Sequence, residues 1–139
     1  MNVLIDTNII LDDLLNREPR REKACQIMDL ITDRQVFGYT TASSLTDIYY
    51  VVEKNLDEAI AKQAVRKILV TLQVIAVDAN DCTQAINSLM RDFEDALVVA
   101  CAEKATLDYI ITNDKDFLGE ANMYVPAVKP DDFLLRFEN

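Results

Sequence analysis

The sequence predicts an α/β domain in which a central, mainly parallel sheet is covered by helices on both faces. Three observations carry this expectation. Short β-branched apolar runs alternate with longer segments of helical period, hairpin signals are few, and 139 residues suffice for one domain with a buried core. Half of the residues are apolar and 27% are charged, an ordinary globular balance. No linker, internal repeat or low-complexity stretch interrupts the chain, so residues 1–139 read as a single domain.

The elements follow in order. Val3–Ile5 is the first strand candidate, and Asp6-Thr7-Asn8 carry helix-start residues before Ile9-Ile10-Leu11. Ala24, Ile27, Met28 and Ile31 recur at i, i+3, i+4 and i+7, a helix with one buried stripe. Val36–Thr41 is the second strand. Ser44-x-x-Asp47 resembles a capping box before Ile48-Tyr49-Tyr50-Val51-Val52. A longer helix follows on Ala61, Ala64, Val65, Ile68, Leu69 and Leu72, and Val74–Val77 is the third strand. Cys82, Ala85, Ile86 and Leu89 repeat the helical stripe. Ala96–Ala102 is apolar on every side, and its small residues and polar exit at Glu103-Lys104 indicate a fully buried helix. Tyr109–Thr112 and a short Tyr124–Val125 complete the strands.

Composition excludes several chemistries. The chain has no histidine, so Ser-His-Asp and Cys-His catalysis, His-ligated zinc and histidine-based ribonuclease chemistry are all ruled out. Its two glycines, Gly38 and Gly119, cannot form a G-x-G-x-x-G loop, and no P-loop motif is present. Fourteen Lys and Arg against 24 Asp and Glu give a net charge of −10, which argues against a broad nucleic-acid-coating surface. Cys25, Cys82 and Cys101 lack C-x-x-C spacing and sit among apolar residues, so they read as small core residues in a reducing compartment. The longest uncharged, largely apolar run, Ile68–Val77, is too short to span a bilayer, and Met1-Asn2-Val3 does not open a signal peptide. A cytoplasmic protein with no membrane association is expected.

Carboxylate remains plentiful. Asp6 and Asp114 each follow a strand, where ligands collect in open parallel sheets, provided that the two strands are neighbours. Each also reads as a turn or helix cap. Asp47 and Asp95 stand at helix starts, where capping competes with function in the same way. Four converging aspartates would repel one another, and a divalent cation would relieve that repulsion and activate water. Their hard oxygen donors suit Mg²⁺ or Mn²⁺. Arg17, Arg20, Arg21 and Lys23 form a basic run that reads as a solvated helix face, as does Asp12-Asp13, whereas Asp131-Asp132 read as a helix start. Tyr49 and Tyr50 read as core or interface residues rather than a base-stacking pair.

These residues resemble the PIN-domain ribonucleases, and among them the VapC-type toxins of bacterial toxin–antitoxin pairs. Val3-Leu4-Ile5-Asp6-Thr7-Asn8 is similar to the family's opening strand and first acid. Thr41–Asp47 is similar to the segment of the second acid, Asp95–Ala100 to the third, and Ile111-Thr112-Asn113-Asp114-Lys115-Asp116-Phe117 to the fourth. The motifs occur in family order across nearly the whole chain. The resemblance implies a three-layer α/β/α fold and an acidic pocket binding Mg²⁺ or Mn²⁺. Asp6, Asp47, Asp95 and Asp114 would be the catalytic, metal-holding acids, Asp116 a further metal ligand, and Asn8 and Thr112 supporting polar residues. It also implies endonucleolytic RNA cleavage that leaves a 5′-phosphate, a cognate antitoxin and a homodimer. The second acid is commonly Glu in the wider family, so Asp47 is one methylene shorter. Asp92, Glu94 and Asp95 cluster at the third acid, and Asp95 is chosen because it directly precedes the buried Ala-rich helix.

Two other readings compete. A PIN-like domain that has lost catalysis and serves as a protein-binding module would account for Asp47 in place of Glu. A phosphatase or phospho-acceptor domain would also place an aspartate at a strand end. Thr7-Asn8 after Asp6 does not match the Asp-x-Asp of haloacid-dehalogenase phosphatases, and Lys115 is poorly placed for a receiver domain.

Overall fold

The computed structural model describes residues 1–137. Five parallel strands, β1 (Asn2–Ile5), β2 (Phe37–Thr41), β3 (Gln73–Ile75), β4 (Tyr109–Ile111) and β5 (Ala127–Val128), form one sheet in the order β3-β2-β1-β4-β5. Eight helices connect and cover them among the described residues: α1 (Thr7–Leu14), α2 (Arg21–Thr32), α3 (Ala42–Asn55), α4 (Glu58–Thr71), α5 (Ala79–Ile86), α6 (Phe93–Lys104), α7 (Lys115–Ala121) and α8 (Pro130–Leu135).

Strand alternation divides the core into two layers. Val3 and Ile5 of β1 join Ile9, Ile27, Ile48, Ala61, Ile68 and Phe133 on one face. Leu4 points to the opposite face, where it meets Val99, Ala102, Ile110 and Phe117. Successive side chains of a strand point to opposite sides, so one short buried strand seeds both cores. The α/β/α arrangement expected from the sequence is therefore the one observed.

The strand order matters more than the strand count. The chain builds outward from β1 through β2 to β3, then returns to place β4 on the other side of β1. The register pairs Ile5 with Ile111, so the carboxyl ends of β1 and β4 lie side by side at the reversal of strand order. That reversal opens a crevice at the carboxyl edge of a parallel sheet.

Several expectations need correction. Tyr124 and Val125 are not a strand, because both backbone N–H groups return to the Ala121 carbonyl at 2.9 Å in the turn closing α7. The edge strand begins after Pro126 and pairs Ala127 with Ile110. The third strand is Gln73–Ile75 rather than Val74–Val77, since Asp78 already caps α5. Of the Cys82–Leu89 stripe only Ala85 is buried. Leu89 lies beyond the helix end and both it and Ile86 are exposed. Cys101 is a core residue as expected, whereas Cys25 and Cys82 are half-buried.

Asp12 does not lie on a solvated face. Helix α1 packs against both α2 and α3 and has little free surface. Asp12 is fully buried, its Oδ2 accepts from Arg20 Nε at 3.3 Å, and its Oδ1 has no partner. Arg20 therefore leaves the supposed basic run for a structural ion pair. Asp81 is structural too. It closes a capping box with Asp78 and takes Lys104 Nζ at 2.6 Å, which holds its carboxyl below the usual range.

Scarcity of glycine leaves a backbone signature. Left-handed residues just beyond three helices are Asn16, Arg34 and Thr106, with φ of 53°, 59° and 52°. Glycine normally fills such positions, and a β-branched threonine is the costliest of the three there. Gly38 is needed for space instead. A Cβ at this position would stand 2.5 Å from Ile31 Cδ1 and 2.7 Å from Leu72 Cδ2.

Candidate active site

The crevice between β1 and β4 gathers carboxylates from four elements. Asp6 follows β1 and occupies the cap position of α1, yet its side chain makes no cap hydrogen bond. Its Oδ2 instead accepts from Thr112 Oγ1 at 2.7 Å. Thr112 is fully buried just past β4, and its Oγ1 also accepts from the Asp114 backbone N–H at 3.0 Å. One hydroxyl thus ties the ends of the two neighbouring strands together. Burial pushes the Asp6 carboxyl up, and the Asp114 charge adds to this against the Thr112 hydrogen bond.

Asp114 caps α7 through Oδ1, which accepts from the N–H groups of Asp116 (2.9 Å) and Phe117 (3.2 Å). The cap engages one oxygen only, so Oδ2 is available to the crevice. Asp92 likewise caps α6, with Oδ1 accepting from the Asp95 N–H at 2.9 Å. That bond fixes the first turn of α6, from which Asp95 lines the same cleft as Asp114 and Asp116. Burial raises the Asp95 carboxyl to about 7, and Asp92, Asp6, Asp114 and Glu120 add to the shift in that order. Arg91, Asp92, Asp95, Asp114, Asp116, Phe117 and Glu120 line the resulting cleft of about 440 Å³.

Asp47 stands apart from this group. Helix α3 starts at Ala42, and Thr41 is its cap, accepting from the Ser44 N–H at 3.1 Å. The Ser44–Asp47 capping box is therefore absent, and Asp47 sits in the second turn. Its carboxyl shares a hydrogen bond with Glu94 of α6, which together with burial and the charges of Asp47, Asp92 and Asp95 lifts Glu94 to about 7. The structure thus joins Asp6, Asp95 and Asp114 at the crevice, with Asp116 on its rim, and pairs Asp47 with Glu94. Thr112 lies at its centre. Asn8 is exposed on the first turn of α1, and no side-chain hydrogen bond of Asn8 is present among the described residues.

Sequence reasoning did not single out Glu120 or Arg91, and it weighed Glu94 beside Asp95 and preferred Asp95. Glu120 carried a usable signal, because Asp116 and Glu120 are spaced i, i+4 on α7 and share a face. Arg91 had none, since its partner Glu120 comes from a distant segment, and Glu94 was visible as a clustered acid but not as the partner of Asp47.

The residues fit a divalent cation in their donor chemistry: all are carboxylates, and their mutual repulsion is what a hard cation relieves. As the side chains stand, no group of three or more among the described residues is close enough to hold one ion. Acids that repel one another stay apart, and a bound cation would draw them together.

A family model described as the PIN domain matches residues 2–116. A sequence comparison with curated proteins finds no match. Among solved structures, the chain is similar to VapC20 of Mycobacterium tuberculosis, described as a sarcin-ricin loop cleaving toxin. The two share 18% identity over 84% of this chain and 93% of that one, with a TM-score of 0.69. It is also similar to VapBC2 from Rickettsia felis bound to a DNA fragment from its promoter, at 17% identity over 93% and 98% of the chains and a TM-score of 0.67. A toxin–antitoxin complex from Klebsiella pneumoniae matches at 23% identity over 92% and 97%, with a TM-score of 0.66. At these identities the likeness is one of fold.

Proposed function

The chain belongs to the PIN-domain family, and on that premise we propose that it is a divalent-metal-dependent endoribonuclease, the toxin of a toxin–antitoxin pair. The observation that carries this reading is the placement of Asp6, Asp95 and Asp114 at the reversal of strand order, where Asp95 is raised to about 7 by burial and its neighbours. Such a cluster is costly to the apo fold and favourable only when positive charge is added. Similar folds in named toxins, one described as cleaving the sarcin-ricin loop, support the assignment.

Asp6, Asp95 and Asp114 would hold Mg²⁺ or Mn²⁺, with Asp116 beside them and the Asp47–Glu94 pair flanking. The cation would lower the pKa of water and neutralise the phosphate. Thr112 orients Asp6 through its hydroxyl and positions Asp114 through the backbone. Asp92 and Asp114 fix the first turns of α6 and α7, so the acids project from rigid elements. In the proposed reaction water attacks phosphorus in line and the bond to the 3′ oxygen breaks, leaving 5′-phosphate and 3′-hydroxyl ends. No histidine is required.

Complexes among similar folds support a cognate antitoxin as partner, and a cytoplasmic location is part of this proposal. Among the described residues no helix is long and apolar enough to cross a membrane. A homodimer belongs to the same proposal.

One observation favours a second reading, a protein-binding module without catalysis: Asp47 pairs with Glu94 and does not line the cleft that Asp95 and Asp114 line. Induced expression of the wild type beside Asp95→Asn, with sequencing of new RNA 5′ ends, separates the two. Growth arrest with site-specific ends only in the wild type is expected. Arrest by both proteins without new ends would favour the binding module.

A further inference from the structure

Among the described residues, the acidic cleft is lined by a single cation. Arg91 lies in the connection from α5 to α6, immediately before the Asp92 cap, and lines the cleft together with Asp95, Asp114, Asp116 and Glu120. Its side chain is 81% exposed and is nevertheless held in place. Arg91 Nε donates to Glu120 Oε1 at 3.0 Å, and its backbone N–H donates to Glu120 Oε2 at 3.1 Å. Both oxygens of one carboxylate, itself only 20% exposed, therefore grip one residue.

The segment leading to Arg91 is fixed as well. The Leu89 N–H donates to the Tyr124 hydroxyl at 3.0 Å, and the Met90 N–H donates to Ser88 Oγ at 3.3 Å. Every backbone N–H from Ser88 to Arg91 thus has a partner, two of them supplied by α7 and the turn after it. An exposed surface ion pair contributes little to stability, so this anchoring is more than a stabilising role would need. What it does achieve is to leave the guanidinium Nη groups free at the mouth of a cleft that otherwise repels phosphate. A guanidinium fork matches two phosphate oxygens.

We propose that Arg91, positioned by Glu120, contacts a backbone phosphate of single-stranded RNA at the mouth of the acidic cleft. This inference rests on the ribonuclease reading and deepens it by naming a substrate-binding residue. Glu120 is then a positioning residue. A phosphate contact is indifferent to base identity, so Arg91 sets affinity and strand path rather than sequence preference.

The test uses a fluorescein-labelled, random-sequence single-stranded RNA oligonucleotide, with anisotropy read across a salt series in Mg²⁺ buffer. The host is the full chain carrying Asp95→Asn, so that the probe stays intact. Arg91→Gln is expected to weaken binding about five- to tenfold, uniformly across sequences, and to lower the log–log salt slope by about 0.7. Arg91→Lys should keep the slope because the charge remains, and Glu120→Gln should give a smaller loss. Lys62→Gln removes a similar exposed pair, with Glu58, and should change neither quantity. In the cleaving protein, Arg91→Gln should raise KM with kcat nearly constant.

An unchanged affinity and slope in Arg91→Gln would overturn the proposal, as would a change in thermal stability alone. Absence of measurable binding by the parent protein would overturn it too. If binding depends on Arg91 but the otherwise wild-type protein never cleaves RNA, the ribonuclease reading fails and the contact stands. If cleavage occurs and Arg91→Gln leaves KM and slope untouched, the contact fails and the ribonuclease reading stands.

Discussion

Asp95→Asn should make the metal-free protein more stable while abolishing its activity, and the gain should depend on pH. The Asp95 carboxyl lies at about 7 instead of 3.8, because burial disfavours its charge and Asp92, Asp6, Asp114 and Glu120 repel it. A rise of roughly three units at about 1.36 kcal/mol each sets a ceiling of about 4 kcal/mol. Water and salt reach the half-buried side chain and screen this to about 1–2 kcal/mol. The folded state holds a proton that the unfolded state has already released between pH 3.8 and about 7, so wild-type stability falls as pH rises through that window. Asparagine carries no such penalty. Thermal unfolding followed by circular dichroism in EDTA should show Asp95→Asn melting about 4–8 °C above wild type at pH 8, a gain that shrinks toward zero near pH 4. A variant less stable at pH 8, or one with equal gains at both pH values, would refute the repulsion argument.

Thr112→Val removes the hydroxyl that serves both strand ends and leaves the Asp114 N–H without its acceptor. It should cost about 1–3 kcal/mol in urea unfolding and lower cleavage by disordering Asp6. Gly38→Ala puts a methyl against Ile31 and Leu72 and should destabilise by about 1–3 kcal/mol in the same assay, without altering metal binding. Thr106→Gly relieves a left-handed β-branched residue after α6 and should raise stability by about 1 kcal/mol, seen as a higher melting temperature.

What the sequence disclosed depended on range. Layering was legible because it is written in local patterns: three apolar residues in β1 and the continuous apolar run Ala96–Ala102 of α6 imply burial on both faces. Asp6 and Asp114 were legible as acids beyond strand ends, but their shared crevice waited on the pairing of β1 with β4, which local pattern does not encode. The cap reading divided the same way. Asp92 and Asp114 do cap helices, whereas Asp6 holds the cap position of α1 without a cap hydrogen bond and Asp47 falls in the second turn of α3, where Thr41 is the cap. Glu94 was legible as one of three clustered acids but its pairing with Asp47 was not, and Arg91 was invisible, because each partner lies in a distant segment. Asp12 misled because alternation of polar and apolar residues assumes one covered face, and α1 is covered on two.

With no histidine in the chain, hydrolysis must rest on its carboxylates and the metal they would hold. Purified wild type and Asp95→Asn are titrated with Mn²⁺ by calorimetry, and RNA cleavage is followed in the same samples before and after excess EDTA. The account predicts that wild type binds Mn²⁺ and cleaves only while the metal is present, with 5′-phosphate ends. Asp95→Asn should lose both properties while remaining folded. Cleavage that persists undiminished in excess EDTA, or cleavage by Asp95→Asn at the wild-type rate, would contradict it.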